Sequence, residues 1–315
     1  MTERKDIYAS VTAKIITDLE KGDLTWMKPW ETAPTGRPLR ANGLPYQGIN
    51  VLILWMEAAE KGYTTPIWMT YKQAQELGGQ VRKGQKGCQV VYANAYTKIE
   101  TNDTGEETER TIPFLKTYTV FNVEQIDGLP AHYYASPAYT RNDKTRIEEA
   151  EQFFTATGAT IRHGGNKAYY SPSLDTVQMP PFAAFHDSES YYGTLAHELT
   201  HWTKHPTRLN REFEGGKRFG EEGYAMEELV AELGAAFVCA DLGIMPEPRE
   251  DTAAYIQSWL KVLKDDKRAI FTAASHAQKA ADYLHQYRAK ADEHIEEEHE
   301  RQTRHDRTPG AHRTA

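Results

Sequence analysis

Apolar residues at Ile7, Val11, Ile15, Ile16 and Leu19 recur at helical spacing and stop before Gly22, which predicts a helix over residues 5–21. A second helix is expected over 48–61, closed by Gly62, and a third from Thr70 to Leu77, closed by Gly78 and Gly79. The period then changes from helical to alternating. The stretches CQVVYANAYTKI and TIPFLKTYTVFNV flank the polar segment TNDTGEETER, and together they predict a β-hairpin. Further on, ATIRHGGNKAYYSPSLDTVQMPP reads as a second hairpin, turning at Gly164, Gly165 and Asn166. Residues 221–242 place Met226, Leu229, Val230, Leu233, Phe237 and Ala240 on one helical face, with Gly243 as the stop. The longest apolar run, from Ile49 to Met56 and broken by Asn50, is far shorter than the ~20 residues of a membrane helix.

These elements predict an α+β chain of two domains. GLPAHYYASPAYTRND carries two prolines and no period, so residues 1–130 and 144–287 are read as domains joined by a linker at 131–143. Residues 288–315 contain one large apolar residue, Ile295, too little to order a segment by burial, and are read as a disordered tail.

Composition changes this picture in two places. Lys and Arg total 37 against 45 Asp and Glu, a net charge of −8, which argues against a nucleic-acid binder over the whole surface. The acidity lies mainly after residue 130, however. Between 61 and 98, Lys61, Lys72, Arg82, Lys83, Lys86 and Lys98 face the single acidic residue Glu76. With 39% hydrophobic residues and six tryptophans the chain can bury a core. Two cysteines, Cys88 and Cys239, exclude a disulfide framework, and the charged start MTERKDIYAS lacks a secretion signal. A soluble cytoplasmic protein with no membrane partner is expected.

The segment SESYYGTLAHELTHWTKHP holds His197, Glu198 and His201 in the HExxH arrangement. Residues four apart on a helix lie about 40° apart on one face, so both imidazoles reach one ion. Glu198 stands beside it as the general base. Asp187 and Ser188 offer caps and Pro206 ends the run. On the later helix, Glu232 is the single charged residue between Leu229 and Ala240, where a carboxylate is costly unless paired. Glu228 lies one turn earlier and is read as the third ligand, with Glu232 accepting a hydrogen bond from a ligand histidine. Glu227 is the rival ligand, about 100° away around the helix. The alternative is that these carboxylates are solvated on an exposed edge. Three protein ligands leave a place for water, as catalytic sites do, and peptide hydrolysis is the natural reaction. The donor set favours Zn²⁺, with Mn²⁺ or Co²⁺ as other occupants. Tyr224 and His205 are candidates for stabilising the oxyanion. Cys239 reads as a small buried residue and Cys88 as a lone thiol.

Longer stretches carry a family resemblance. WMKPW, YQGINVLILW and WMTYKQAQELGGQVRKGQKGCQVVY resemble the N-terminal domain of ArdC-type antirestriction proteins. MPPFAAFHDSESYYGTLAHELTHWTKH, EELVAELGAAF and AAYIQSWLKVLKDDKRAIFTAASHAQKAADYL resemble the zincin-like metallopeptidase domain of the same family. The resemblance implies a gluzincin-type second domain with His197, His201 and Glu228 as ligands and Glu198 as acid and base. In it, Glu232 occupies the place of an acidic residue that follows the Glu ligand. It also implies a protein of a conjugative plasmid or other mobile element that binds single-stranded DNA and protects incoming DNA from host restriction.

Single-strand binders join a basic groove to aromatic platforms. Trp68, Tyr71 and Lys72, then Arg82, Lys83 and Lys86 with glycines among them, fit that description, and Tyr92 and Tyr96 follow. Three functions compete: a DNA-binding antirestriction protein with a peptidase-like domain, a metallopeptidase that cleaves a host protein such as a restriction component, and a metal-stabilised DNA-binding protein without turnover. Retention of Glu198 argues against the last, because a structural site needs ligands alone.

Overall fold

The computed structural model describes residues 6–21, 36–101, 107–135, 147–213, 222–245 and 252–306. Contacts divide the chain into two units, residues 1–140 with 250–275, and residues 141–249 with 276–315.

In the first unit the three expected helices form as α1 (Ile7–Glu20), α2 (Ile49–Lys61) and α3 (Tyr71–Glu76). Thr70 starts α3 through a capping box with Gln73, which satisfies two backbone N–H groups that the first turn leaves open. Strands β1 (Leu39–Arg40), β2 (Ile67–Thr70), β4 (Cys88–Thr101) and β5 (Glu107–Asn122) form one sheet in the order β1-β2-β5-β4, and β3 (Gln80–Val81) pairs with β6 (Ile126–Asp127). Strands β4 and β5 are the expected hairpin, antiparallel from Cys88 opposite Val120 to Thr101 opposite Glu107; its tip falls outside the described residues. Strand β2 pairs with β5 at Val120, Phe121 and Asn122, so the rest of the hairpin runs on as a two-stranded ribbon. The Asn50 side chain of α2 brackets the outer edge of β4, donating to the Val91 carbonyl and accepting from the Val91 N–H, both at 2.7 Å. It occupies backbone groups that another chain would otherwise pair with.

By their contacts, residues 250–275 group with this unit. The cause is α7 (Thr252–Asp265), which packs on α1. Lys264 pairs with Glu20, Lys267 with Asp6, and Thr12 donates to the Lys267 carbonyl at 2.7 Å. From the linker, residues 131–134 form a 3-10 turn that Tyr134 holds through the Ile126 carbonyl; residues 136–146 lie outside the described residues.

The second unit contains α4 (Glu148–Ala156), strands β7 (Thr160–His163), β8 (Tyr169–Ser171) and β9 (Thr176–Met179), and helices α5 (Ser188–Trp202) and α6 (Glu222–Asp241). The expected hairpin is corrected here. The sheet order is β7-β9-β8, β7 is parallel to β9, and the hairpin joins β8 to β9 through residues 172–175. Asp175 makes that turn with a positive φ of 47°, and its carboxylate takes the Tyr170 hydroxyl at 2.9 Å and the Arg208 guanidinium. A side-chain network therefore selects this turn over the glycines at 164 and 165. Helix α8 (Ala269–Asp306) starts in the first unit and continues in the second. It extends through much of the segment read as a disordered tail. Ala, Glu, Arg, Lys and Gln there favour the helical backbone by intrinsic propensity, which burial arguments overlook. No helix among the described residues is long and apolar enough to cross a membrane.

Candidate metal centre

Helix α5 starts where Asp187 accepts the Ser190 N–H at 2.7 Å, and from there its sequence sends residues 195–202 inward. His197, Glu198 and His201 are all buried. Helix α6 lies close against α5 because Gly234 has no side chain: a Cβ at that position would stand 2.5 Å from Thr200 Cγ2. That contact brings the start of α6 to the histidines.

His197, His201 and Glu228 converge, with one candidate donor atom from each within 4.8 Å of the others. His197 Nε2 and His201 Nε2 are 3.1 Å apart, and each lies 3.5 Å from a Glu228 oxygen. Atoms that share one ion at about 2 Å have separations of this order. Two buried imidazole nitrogens facing a carboxylate are a fitting donor set for a divalent cation. Glu232 faces the other nitrogen of the first histidine, at 3.6 Å from His197 Nδ1.

Glu227 is where the structure departs from the pattern. It meets the second histidine from behind, with Oε1 2.9 Å from His201 Nδ1. Arg211 holds it with two bonds, Nε to Oε2 at 2.8 Å and Nη2 to Oε1 at 2.9 Å. The same guanidinium reaches Thr203 Oγ1 and the Thr200 carbonyl. Burial alone would raise the Glu227 pKa, but Arg211 and His201 bring it down to about 2. Burial alone would lower that of His201, and the charge of Glu228 with the hydrogen bonds that His201 donates to Glu227 and Glu228 lifts it to about 9. Both carboxylates of the pair are therefore committed to histidines. The 100° between Glu227 and Glu228 was the available signal, since it aims the two at opposite sides of one ring. Arg211 sits in a loop and had none. His205, a candidate for the oxyanion, instead holds the Thr207 hydroxyl at 2.8 Å, and Tyr224 is half-buried at the start of α6.

A family model described as a zincin-like metallopeptidase matches residues 148–276, and one described as the N-terminal domain of anti-restriction factor ArdC matches residues 5–121. The metal-free crystal structure of antirestriction ArdC from the R388 plasmid is similar at 50% identity with a TM-score of 0.78, over 90% of this chain and 98% of that one. The chain belongs to the ArdC antirestriction family. The Mn(II)-bound structure of the same ArdC protein matches at 49% identity and a TM-score of 0.74, over 90% of this chain and 98% of that one. Protein y4eC of Sinorhizobium fredii is 43% identical over 91% of this chain and 94% of its own length. An Escherichia coli DNA primase TraC is 38% identical over 89% of this chain, which spans 27% of that relative.

Within the ArdC N-terminal domain the residues expected at DNA have different fates. Trp68 is 1% exposed, packed edge-on against Tyr63, and has no ring face to offer a base. This corrects the expectation: β2 is an inner strand, so its large side chains complete the core. Arg82 is exposed and engaged along the surface, with Asp127 at 3.1 Å and with the Glu124 carbonyl. Gly87 serves packing, since a Cβ there would meet Thr119 Cγ2 at 2.5 Å. Tyr71, Lys72, Lys83 and Lys86 are exposed, with Lys72 3.6 Å from Glu76. Tyr92 and Tyr118, 43% and 45% exposed, stand 6.0 Å apart on one face of the ribbon, and Lys116 is paired opposite Tyr92. The side chain of Tyr96 lies outside the described residues.

Proposed function

We propose that this ArdC-family chain protects incoming DNA by binding it single-stranded through its first unit, and that its second unit is a metal-dependent peptidase centre. The convergence of His197, His201 and Glu228 in a buried place carries the second half of this reading. The Mn(II)-bound relative supports a divalent cation, and the two imidazoles with one carboxylate make Zn²⁺ the favoured one. A cation so held polarises a carbonyl and makes water more acidic. The chain's own residues do the rest. Glu198, next to the first ligand and on the same helix, accepts the proton of the attacking water and returns it to the departing amine, while Glu232 and Glu227 keep the two imidazoles oriented. A host protein such as a restriction component is the substrate this reading implies. The test is metal content: the wild type is expected to carry close to one ion per chain, and His197→Ala none. An ion retained in that variant would overturn the ligand assignment.

The ribbon supports the DNA half. Two exposed tyrosines with a lysine across the strand pair form a platform on which bases stack, with a cation within reach of the phosphates. Lys83 and Lys86 add exposed charge on the preceding loop. Replacing Tyr92 and Tyr118 together by alanine is expected to weaken binding of a 20-residue oligothymidylate about tenfold or more, since a stacked base contributes ~1–3 kcal/mol. Unchanged affinity would remove the ribbon from the interface, and equal affinity of the wild type for a duplex would sink the single-strand reading.

A further inference from the structure

We propose that Arg211 is a positioning residue for metal binding: by clamping Glu227 it keeps His201 Nδ1 as a hydrogen-bond donor and so turns Nε2 toward the shared site. The proposal rests on the metal reading above and adds a residue outside the ligand motif.

A carboxylate gripped by a guanidinium is an acceptor and nothing else. Both Glu227 oxygens take an Arg211 N–H, so the 2.9 Å contact with His201 must be a donation from Nδ1. An imidazole that keeps its proton on Nδ1 offers its lone pair at Nε2, the atom that faces His197 Nε2 and Glu228. Orientation is fixed together with the tautomer, because Arg211 also bonds the Thr200 carbonyl and Thr203 Oγ1 at the end of α5. One buried side chain thus ties the helix carrying the histidines to the helix carrying the carboxylates.

The loop after α5 is built to deliver it. Leu209 N–H returns to the Thr203 carbonyl, Asn210 N–H to His205 and Arg211 N–H to Lys204, at 3.0–3.1 Å. Asn210 makes the reversal at a φ of 45°, in the left-handed region that asparagine tolerates better than most residues. Lys204, 3.8 Å from Glu227 and part-exposed, is a weaker second cation.

The sign of one measurement separates positioning from charge. Arg211→Met removes a positive charge from beside a cation site, so the field alone would tighten binding of Mn²⁺. Loss of the clamp is expected to weaken it by about 10–100-fold instead, the range for residues that orient a ligand. The readout is calorimetric titration of the chelator-stripped full chain with Mn²⁺ alone, with circular dichroism confirming the fold. Wild-type or tighter affinity would overturn the proposal. Should Arg211→Met not fold, Arg211→Lys, which keeps the charge and loses the two-pronged grip on Glu227, carries the same expectation and the same refutation. In the Zn²⁺-loaded wild type the His201 Nδ1–H is also expected to exchange slowly with solvent and to exchange faster in either variant; equal rates would count against the clamp. A wild type that takes up no Mn²⁺ fails the metal reading itself, whereas normal uptake by both wild type and variant fails the clamp alone.

Discussion

Glu198→Gln is expected to leave the metal content and thermal midpoint near those of the wild type while lowering hydrolysis of denatured casein by about 10²–10⁴-fold. The substitution keeps the size and shape of a side chain that is buried on α5 between the two histidines proposed as ligands. Neither His197, His201 nor Glu228 loses an atom, so the donor set is intact. What is lost is a carboxylate able to take a proton and give it back, and an amide does neither at neutral pH. Binding of single-stranded DNA should be untouched, because the residues proposed for it belong to the other unit. Hydrolysis within a few-fold of wild type would place the base elsewhere. No hydrolysis by a metal-loaded wild type would return the centre to a binding role.

Gly234→Ala should cost stability and metal affinity together. On propensity alone an alanine within a helix is favoured over glycine by ~1 kcal/mol. Here the new Cβ would lie 2.5 Å from Thr200 Cγ2 and 2.8 Å from Thr200 Oγ1. Thr200 is β-branched, and its hydroxyl donates to the Ala196 carbonyl at 2.8 Å, so it has little freedom to turn aside. Forcing the helices apart is expected to cost about 1–3 kcal/mol net, read as a midpoint lower by roughly 2–10 °C. Because α5 carries the histidines and α6 carries Glu228, weaker Mn²⁺ binding should accompany the loss. Adding Thr200→Ala removes both close atoms and leaves a Cβ contact of 3.3 Å, so the double variant should recover much of the midpoint. A single variant as stable as the wild type would show that the helix crossing does not depend on this glycine.

Local patterns reached far into the fold where a side chain's role depends on its own segment. Helices α1, α2 and α3 and the β4–β5 hairpin follow from apolar spacing and glycine stops. The pattern was silent where the deciding partner is distant in the chain. The β8–β9 turn is chosen by Arg208, which grips Asp175. Helix α7 groups with the first unit through its packing on α1, which the surface ion pairs of Lys264 and Lys267 only flank. Trp68 looked like a stacking platform because an aromatic beside lysines reads the same in a core strand as on a surface.

The metal centre divides along the same line. His197, Glu198 and His201 were legible because a helix of fixed pitch turns a four-residue spacing into a shared face, whatever surrounds it. The proposed task of Glu228 followed from a carboxylate stripe on an otherwise apolar helix. That Glu227 serves His201, that Arg211 holds Glu227, and that Tyr92 and Tyr118 stand together across a ribbon were decided by tertiary structure alone. Spacing along one helix is a property of the chain, but the approach of a loop arginine or a neighbouring strand depends on how the whole unit packs.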